Sequence, residues 1–484
     1  MEVAITWANF RPPGGNMARE LNETERSGID EMIRRARAAM REVKDYDQAR
    51  IDRLCQALGW ATSNEKTFGR IADMGVKESG LGDPEGRKSK RVKIMGVLRD
   101  ALRERSTGII EEIPEKGIIK YAKPAGVIAS LVPTTNPGLT PAYTGIYSLK
   151  ALDAVIFSPH PRAKRTTLEI VRVMREAISR QGAPADLFQC IETPTIPSTQ
   201  YLMASCDLTL ATGGQPMVRA AYGSGKPAYG VGAGNSTMVI DETADVEIAA
   251  RNTRMSKTSD FGSGCSADGN ILIDDRIYDA LVKALITEGG FKANQEQAAA
   301  IEKVMWDEEG HRLPATVACP PQAIAKAAGF EIPADRKFII VENDKIGLQH
   351  NYSREKLTTL LAVYRFHGFD QALEMVEQIY EVGGKGHSCG IYSHDDVHID
   401  RLARIAPVSR MMVRQPQSKA NAGSFTNGMP MTSSLGCGIW GGNITNENIH
   451  LKHFLQTTWV SRPITEDKPS EQELFGEFFN SETF

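Results

Sequence analysis

The feature that most limits the folds open to this chain is a repeated alternation of short β-rich runs with amphipathic helical patterns. A first series starts near residue 125, and its β-rich runs are GVIASLVP, AVIFSP, DLFQCIE, DLTLAT and STMVID. A second series starts after residue 265, and its runs are NILIDD, KFIIVEN, LTTLLAVYRF, HSCGIYS and SRMMVRQP. Strands that alternate with helices predict mostly parallel sheets with helices on both faces. The sequence therefore predicts an α/β fold with two lobes.

Three further segments lie outside these two series. Between residues 27 and 61, apolar positions recur at spacings of three and four, which predicts a pair of amphipathic helices with Asp47 as a cap between them. The segments 108–124 and 454–464 contain strand-like stretches. We expect these two segments to form a small sheet that bridges the lobes or joins subunits.

Length and charge exclude several classes of protein. The chain has 484 residues, which is more than one ordinary core accommodates. No apolar run approaches the ~20 residues of a membrane helix, so we expect no membrane partner. The net charge of -3 reflects nearly balanced acids and bases, which argues against nucleic acid as a partner and favours small-molecule ligands.

The cysteines and the first residues indicate the compartment. The N-terminal stretch has no apolar segment bounded by a basic region, so it does not resemble a secretory signal. The seven cysteines are scattered singly, without a CxxC pair, which argues against a disulfide framework and against a zinc site. We therefore expect free thiols, no metal, and a cytoplasmic location, with a protein-bounded enzyme assembly as one option there.

Two stretches have features of phosphate-binding loops. In the first, residues 208–211 form a β-rich run that leads through Thr212, Gly213 and Gly214 into a helical pattern near Pro216. Free amides at a helix N-terminus favour an anion such as a pyrophosphate. The second, GVGAGN at 230–235, is followed by a strand and not by a helix, so a tight turn between strands is its better interpretation.

A single cysteine in an open setting is the candidate nucleophile. Cys265 lies in SDFGSGCSADG, where small neighbours admit a substrate and leave backbone amides accessible. A buried structural cysteine is the alternative. Asn136, in PTTNPG, follows a predicted strand and has a side-chain amide that can donate a hydrogen bond to a developing oxyanion. Spacing alone does not connect Asn136 to Cys265.

Taken together, these motifs resemble the aldehyde dehydrogenase superfamily and, within it, the CoA-acylating branch. The resemblance covers most of residues 30–465 and extends to enzymes acting on acetaldehyde, succinate semialdehyde and sulfoacetaldehyde. The motifs occur in the family's order, and they are LVPTTNPG, IFSPHPRAK, ATGGQPMVRAAYGSGKPAYGVGAGN, MSKTSDFGSGC, EKLTTLLAVYRF, GKGHSCGIYS and SLGCGIWGGN. The resemblance implies two Rossmann-like lobes with a small oligomerisation sheet, and it implies a homodimer or homotetramer.

The resemblance also implies domains and site residues. It implies a cofactor-binding domain at 1–252 with the hairpin 108–124, a catalytic domain at 253–437, and a return to the cofactor domain at 438–484. Cys265 would add to the aldehyde to form a thiohemiacetal, Asn136 and the Cys265 amide would hold the oxyanion, and hydride would pass to NAD or NADP. The implied cofactor-binding residues are Thr134, His160, Arg162, Thr212, Gly213, Gly214, Gly232 and Glu355. The implied substrate residues are His387, Ser424 and Thr426.

The absence of a glutamate base distinguishes the CoA-acylating branch from the hydrolytic relatives. Hydrolytic relatives carry a glutamate base in an ELGG stretch, whereas the corresponding segment here, YGVGAGN, is aligned with Gly230 at that position. Without a carboxylate to activate water, the thioester on Cys265 would await the thiol of coenzyme A, and the product would be an acyl-CoA. The reverse reduction would use the same residues.

Several alternatives stay open at this point. A hydrolytic dehydrogenase would need a glutamate from another segment, and a non-catalytic scaffold or cargo protein could have kept the fold. The basic residues Arg162, Lys164 and Arg165 suit the extra phosphate of NADP, the 3'-phosphate of CoA, or a solvated helix start. An anionic aldehyde is preferred, and polar residues for its tail are Arg414, Ser418, Asn421, Ser424 and Thr426.

Overall fold

A computed structural model describes residues 20–480. Its secondary structure follows the predicted alternation of strands and helices. The strands are β1 (Ile109–Ile113), β2 (Ile118–Pro124), β3 (Val127–Val132), β4 (Ala154–Pro159), β5 (Phe188–Cys190), β6 (Leu208–Thr212), β7 (Ala228–Val231), β8 (Thr237–Ile240), β9 (Asn270–Asp274), β10 (Gly290–Lys292), β11 (Phe338–Glu342), β12 (Leu360–Phe366), β13 (Cys389–Tyr392), β14 (Met411–Val413) and β15 (Leu455–Ser461).

Helices cover both parallel sheets. They are α1 (Glu23–Val43), α2 (Gln48–Ser63), α3 (Glu65–Ser79), α4 (Pro84–Lys88), α5 (Arg91–Arg103), α6 (Leu139–Ala151), α7 (Lys164–Ser179), α8 (Ile196–Ser205), α9 (Gln215–Tyr222), α10 (Val246–Lys257), α11 (Tyr278–Thr287), α12 (Gln295–Met305), α13 (Pro321–Ala327), α14 (Phe369–Val382), α15 (Asp396–Ile405), α16 (Gln417–Ala420) and α17 (Glu471–Phe475). Within residues 20–480, none of these helices is both long enough and apolar enough to cross a bilayer.

The strands form two parallel sheets and one antiparallel sheet, which confirms the predicted fold class. The first sheet has five strands in the order β5-β4-β3-β6-β7, and the second has seven in the order β10-β11-β12-β9-β8-β13-β14. The third sheet has the order β1-β2-β15, with both pairings antiparallel. As predicted, it unites the segments 108–124 and 454–464.

The N-terminal helices are capped as their sequence suggests. Asn22 and Glu25 form a reciprocal capping box at the start of α1, and the Asp47 side chain accepts a hydrogen bond from the Arg50 amide at the start of α2, 2.8 Å away. Helix α2 then packs against α5, α6 and α7. Helix α6 is buried along its whole length, including Lys150, so it forms the centre of the first lobe.

The run STMVID does not belong to the first sheet, contrary to its expected place in the first series. It forms β8, which pairs in parallel with β9 and β13 in the middle of the second sheet. The chain therefore passes between the two sheets in residues 232–236, ahead of the implied boundary at 252. Parallel strands pair with partners that are distant along the chain, so the alternation alone did not identify the sheet.

Sheet order determines where loops converge. In the first sheet, β3 and β6 are neighbours, although β4 and β5 lie between them along the chain. The loops after β3 and β6 leave the carboxyl edge at this switch point, where open α/β sheets bind ligands. In the second sheet, segments ending at residues 236, 269 and 388 lead into the amino ends of β8, β9 and β13. These are the segments that carry the site.

Leu58 tests the packing of α2 in this core. Its side chain is fully buried, whereas Trp60 on the same helix is 71% exposed. We expect Leu58→Ala to lower the free energy of unfolding by about 2–5 kcal/mol, because it removes apolar contacts and leaves a cavity. Trp60→Ala is the matched control and should change the free energy of unfolding by less than about 0.5 kcal/mol. Urea denaturation followed by circular dichroism measures both, and equal losses would contradict this packing.

Candidate active site

Cys265 lies within hydrogen-bonding distance of a histidine. The Sγ atom of Cys265 is 3.0 Å from Nε2 of His387, which directly precedes β13 in the second sheet. Cys265 itself lies in the loop before β9 and keeps partial solvent exposure, whereas His387 is fully buried. The two residues are 122 positions apart in sequence, and the adjacent strands β8, β9 and β13 bring them together.

An unusual turn precedes the cysteine. Asp260 and Phe261 both have a φ of 51°, and Gly262 has a φ of 66°, so three successive residues adopt left-handed conformations. Such a conformation costs free energy in non-glycine residues and persists where the surroundings hold it in place. Hydrogen bonds to the Asp260 carboxylate stabilise this conformation.

Asp260 is buried and joins the two lobes. Its carboxylate accepts hydrogen bonds from the Asp83 amide at 2.8 Å, the Lys90 ammonium at 2.6 Å, the Arg87 Nε at 3.2 Å and the Ser263 hydroxyl at 2.8 Å. Burial alone would raise its pKa, but Lys90 and Arg87 hold the pKa of Asp260 below its usual value. The carboxylate therefore stays charged and ties the turn before Cys265 to α4 and α5.

A chain of hydrogen bonds assigns the tautomer of His387. The Ser236 hydroxyl donates to the Cys265 carbonyl at 3.1 Å, so Ser236 must accept from the Ser388 hydroxyl, which is also 3.1 Å away. Ser388 has then used its single proton and accepts from the Asn421 amide and from Nδ1 of His387, at 3.0 and 2.8 Å. Nδ1 therefore carries the proton. The unprotonated Nε2 faces the sulfur.

Burial keeps both members of the pair neutral. It raises the pKa of Cys265 to about 12, with the nearby Glu355 carboxylate adding to the rise, and it lowers the pKa of His387 to about 3, with Arg410 as the second cause. The resting state is a thiol that donates to Nε2, and the imidazole can take its proton when the sulfur attacks.

Asn136 is oriented by Lys90. The Lys90 ammonium donates to Oδ1 of Asn136 at 2.8 Å and to Asp260 at 2.6 Å. Because Oδ1 is the acceptor, the amide nitrogen of Asn136 remains as the donor on the other side. Asn136 and the Cys265 loop are thus linked through Lys90 and Asp260, a connection that spacing along the chain did not indicate. No sequence pattern had marked Lys90, Asp260, Ser236 or Ser388 as part of the site.

The loop 232–236 packs directly on the cysteine. A Cβ atom added to Gly234 would lie 2.1 Å from the Cys265 carbonyl oxygen, so only glycine fits there. The Gly234 amide donates to the Glu355 carboxylate at 3.1 Å, and burial raises the pKa of Glu355 to about 8. Gly232 packs on Cys437, whose sulfur a Cβ atom would approach to 3.1 Å.

Gly230, the residue at the expected position of the glutamate base, packs against α9. A Cβ atom on Gly230 would point at α9, 2.5 Å from Val218 and 2.9 Å from the Tyr222 ring. The cause is the alternation of side-chain directions along β7, which starts two residues earlier. The inference about the missing base does not depend on this position, since the whole segment 229–236 contains no acidic residue.

Thr212, Gly213 and Gly214 lie at the switch point of the first sheet. The Thr212 hydroxyl is 2.8 Å from the Ser434 hydroxyl. Gly214 precedes α9 and supplies no side-chain cap, but its carbonyl accepts hydrogen bonds from the Met217 and Val218 amides at 3.0 and 3.2 Å, and Pro216 has no N–H. Beside them is a cavity of about 420 Å³ between the ends of β3 and β4 and helices α8 and α9, and His160 is one of its lining residues.

The other predicted residues are more dispersed. Thr134 lies in the loop after β3, near the switch point. The Arg162 guanidinium donates to the Ser79 carbonyl at 2.6 Å, at the end of α3. Ser424 and Thr426 bond to each other through their hydroxyls at 3.0 Å. Among the other residues proposed for an anionic tail, Asn421 bonds to Ser388, and Arg414 donates to the Ser393 carbonyl.

The fold and this pair define a class of enzyme: two parallel α/β lobes, a nucleotide-type cleft at the switch point of one, and a cysteine paired with a histidine base on the other. The aldehyde dehydrogenase family matches residues 5–290. Sulfoacetaldehyde dehydrogenase of Acholeplasma sp is 42% identical over 451 residues, which cover 92% of this chain and 93% of that protein.

Solved structures agree with this match. An acetylating aldehyde dehydrogenase from Geobacillus thermoglucosidasius has a TM-score of 0.89 at 33% identity, over 92% of this chain and 99% of that one. A propionaldehyde dehydrogenase from Rhodopseudomonas palustris, with bound CoA and an acylated cysteine, has a TM-score of 0.80 at 25% identity. The match covers 90% of this chain and 97% of that one. The chain belongs to the aldehyde dehydrogenase family, and these relatives assign it to the CoA-acylating branch.

The raised pKa of Cys265 predicts how its alkylation depends on pH. Below its pKa, the thiolate fraction of a thiol rises about tenfold with each pH unit, and only the thiolate reacts. We expect the rate of iodoacetamide labelling at Cys265 in the free protein to climb continuously from about pH 7 to about pH 10. Peptide mass spectrometry measures the rate at this residue, with Cys265→Ser as the control. A plateau below about pH 9 would contradict the neutral pair.

Proposed function

We propose that this chain catalyses the NAD(P)-dependent oxidation of an anionic aldehyde to an acyl-CoA, with Cys265 as the nucleophile. The observation that carries the proposal is the unprotonated Nε2 of His387, which lies 3.0 Å from the Cys265 sulfur. A thiol with a raised pKa needs a base at this distance in order to add to a carbonyl. The reaction runs in both directions through the same groups.

The first step forms a bond between sulfur and carbon. His387 takes the thiol proton as Sγ attacks the aldehyde carbonyl, and the carbonyl oxygen becomes the oxyanion of a thiohemiacetal. The Asn136 amide, oriented by Lys90, donates to that oxyanion together with the Cys265 backbone amide. The cofactor, when bound, accepts the hydride that leaves the same carbon, and a thioester remains on Cys265.

The second step transfers the acyl group. His387 first releases to solvent the proton that it took from Cys265, and it then accepts the proton of the CoA thiol as the CoA sulfur attacks the thioester carbon. The bond to Cys265 breaks, and the cysteine leaves as a thiolate that His387 reprotonates. The net reaction converts the aldehyde, NAD(P)+ and CoA into acyl-CoA, NAD(P)H and one proton.

The first lobe fits a dinucleotide. The glycine-rich turn between β6 and α9 lies at the switch point and suits a pyrophosphate, and the cavity lined by His160 suits an adenosine, because it is largely apolar and lies at the carboxyl edge of the sheet. In this arrangement Thr212, Gly213 and Gly214 approach the phosphates, and Thr134, Gly232 and Glu355 lie on the path toward Cys265. Arg162 would act at the edge of the site, since its guanidinium is bonded to Ser79.

Hydrolysis is the second candidate, and Glu355 is the observation that favours it. Its buried carboxyl has a pKa raised to about 8, as a general base near neutral pH would have, and its charge acts on Cys265. However, Glu355 accepts a hydrogen bond from the Gly234 amide, which holds it in place as a binding group. The acyl-CoA route is therefore preferred.

Product analysis tests the proposal. With sulfoacetaldehyde and NAD(P)+, we expect NADH or NADPH to form in the presence of CoA and the acyl-CoA to be detected by mass spectrometry. Cys265→Ala should lower kcat by at least about 1,000-fold, because the covalent route is lost. Equal turnover without CoA, giving a free acid that Glu355→Gln abolishes, would establish hydrolysis in its place.

We infer a homodimer or homotetramer built through the three-stranded sheet. Strand β15 pairs with β2 on one side only, and most of its residues are exposed, including Trp459 at 59%. An exposed seven-residue edge strand with a large aromatic residue is a candidate for pairing with another subunit. The free cysteines fit a cytoplasmic location.

Trp459→Glu tests this interface. A buried carboxylate without a partner opposes association, so we expect the variant to sediment as a smaller species than the parent protein at equal concentration. Analytical ultracentrifugation measures the masses. Trp60→Glu, at an exposed position of helix α2, is the control that should leave the mass unchanged. An unchanged mass for Trp459→Glu would exclude this strand from the interface.

A further inference from the structure

Three lysines lie together beside Asn136 and are not used by the chemistry above, apart from the role of Lys90 in orienting Asn136. Lys90 and Lys93 are at the start of α5, and Lys419 is in α16. Lys93 donates to the Lys419 carbonyl at 3.1 Å, which connects the two helices. We call Lys90, Lys93 and Lys419 the lysine cluster.

The lysine cluster has an excess of positive charge. The charged groups that act on these three ammonium groups are Asp260 and Arg87, in addition to the lysines themselves. Asp260 acts on Lys90 and Lys419, whereas the charges that act on Lys93 are those of the other two lysines. Burial first, and then the charges of Lys419 and Lys90, lower the pKa of Lys93 to about 7. An anion bound among these groups would restore the balance.

The cluster also has unused hydrogen-bond donors. An ammonium group has three N–H donors. In the described chain, Lys93 donates to the carbonyls of Lys419 and Gly423, at 3.1 and 2.7 Å, and Lys419 donates to the Ser259 hydroxyl at 2.9 Å. Both side chains are partly exposed, so their remaining donors can meet a ligand. Lys90 is more buried, and its known partners are Asn136 and Asp260.

The cluster touches groups of the proposed active site. Lys90 touches the amide that holds the oxyanion, and Lys419 touches Ser259 in the turn that leads to Cys265. An anion on the lysine cluster would therefore lie near the oxyanion donor Asn136 and the turn before Cys265. A neutral aldehyde would leave the excess positive charge uncompensated, and a charged one would neutralise part of it.

We propose that the lysine cluster is the specificity subsite for the sulfonate or carboxylate of a short anionic aldehyde, with Lys93 and Lys419 as its direct ligands. This inference rests on the function proposed above and names the residues that select its substrate. They differ from Arg414, Ser424 and Thr426, which bond to the Ser393 carbonyl and to each other.

The test is the ratio of kcat/KM for sulfoacetaldehyde to kcat/KM for acetaldehyde, with NAD(P)+ and CoA. We expect Lys93→Met and Lys419→Met each to lower this ratio by about 10- to 100-fold, the value of one hydrogen bond to a charged group. Lys419→Arg should retain part of the preference for sulfoacetaldehyde, because the positive charge is kept. Lys283→Met, on the exposed face of α11, is the matched control and should leave the ratio unchanged.

A binding measurement separates this inference from the catalytic proposal. Ethanesulfonate has the anion and lacks the aldehyde, so calorimetry should detect it with the parent protein and not with Lys93→Met, whatever the chemistry at Cys265. An unchanged ratio in both variants would overturn the subsite, while CoA-dependent turnover of acetaldehyde would still support the function. Loss of discrimination between CoA and dephospho-CoA, with the aldehyde ratio unchanged, would assign the cluster to the CoA phosphate and also overturn it.

Discussion

The buried carboxylate of Asp260 is the interaction on which the site depends. It accepts hydrogen bonds from Asp83, Arg87 and Lys90 on the first lobe and from Ser263 on the second. Without these four donors, the left-handed conformation of Asp260 and Phe261 would be unfavourable, and the turn before Cys265 would relax. Because Lys90 also holds Asn136, one carboxylate aligns the nucleophile with the group that stabilises the oxyanion.

The reactive pair is built for a thiol that is protected until substrate arrives. Desolvation disfavours both the thiolate and the imidazolium, so Cys265 and His387 stay neutral at rest. The chain from Asn421 through Ser388 and Ser236 to the Cys265 carbonyl fixes the tautomer that makes Nε2 a base. Their hydrogen bonds run to the Cys265 carbonyl and to Nδ1 of His387, so we expect them to act by orienting His387.

Much of the fold could be predicted from the sequence, since strand and helix patterns have clear periods. Amphipathic α1 and α2 and the buried runs of β3 and β4 are examples. Helix α6 shows the limit: every one of its residues is buried, so it has no solvent-exposed face and only a weak 3.6-residue signal. The placement of STMVID in the second sheet shows another limit of prediction from sequence, because parallel pairing depends on contacts remote in sequence.

By itself, the sequence determined the α/β class, the candidate cysteine, the asparagine at the end of a buried strand, and the lack of a carboxylate in residues 229–236. Only the tertiary structure decided which histidine faces Cys265, which side of β7 Gly230 faces, and that Lys90, Lys93 and Lys419 gather beside Asn136. The physical reason is that local periods and motifs act over a few residues. Protonation, orientation and charge balance depend on groups that meet only when distant segments pack together.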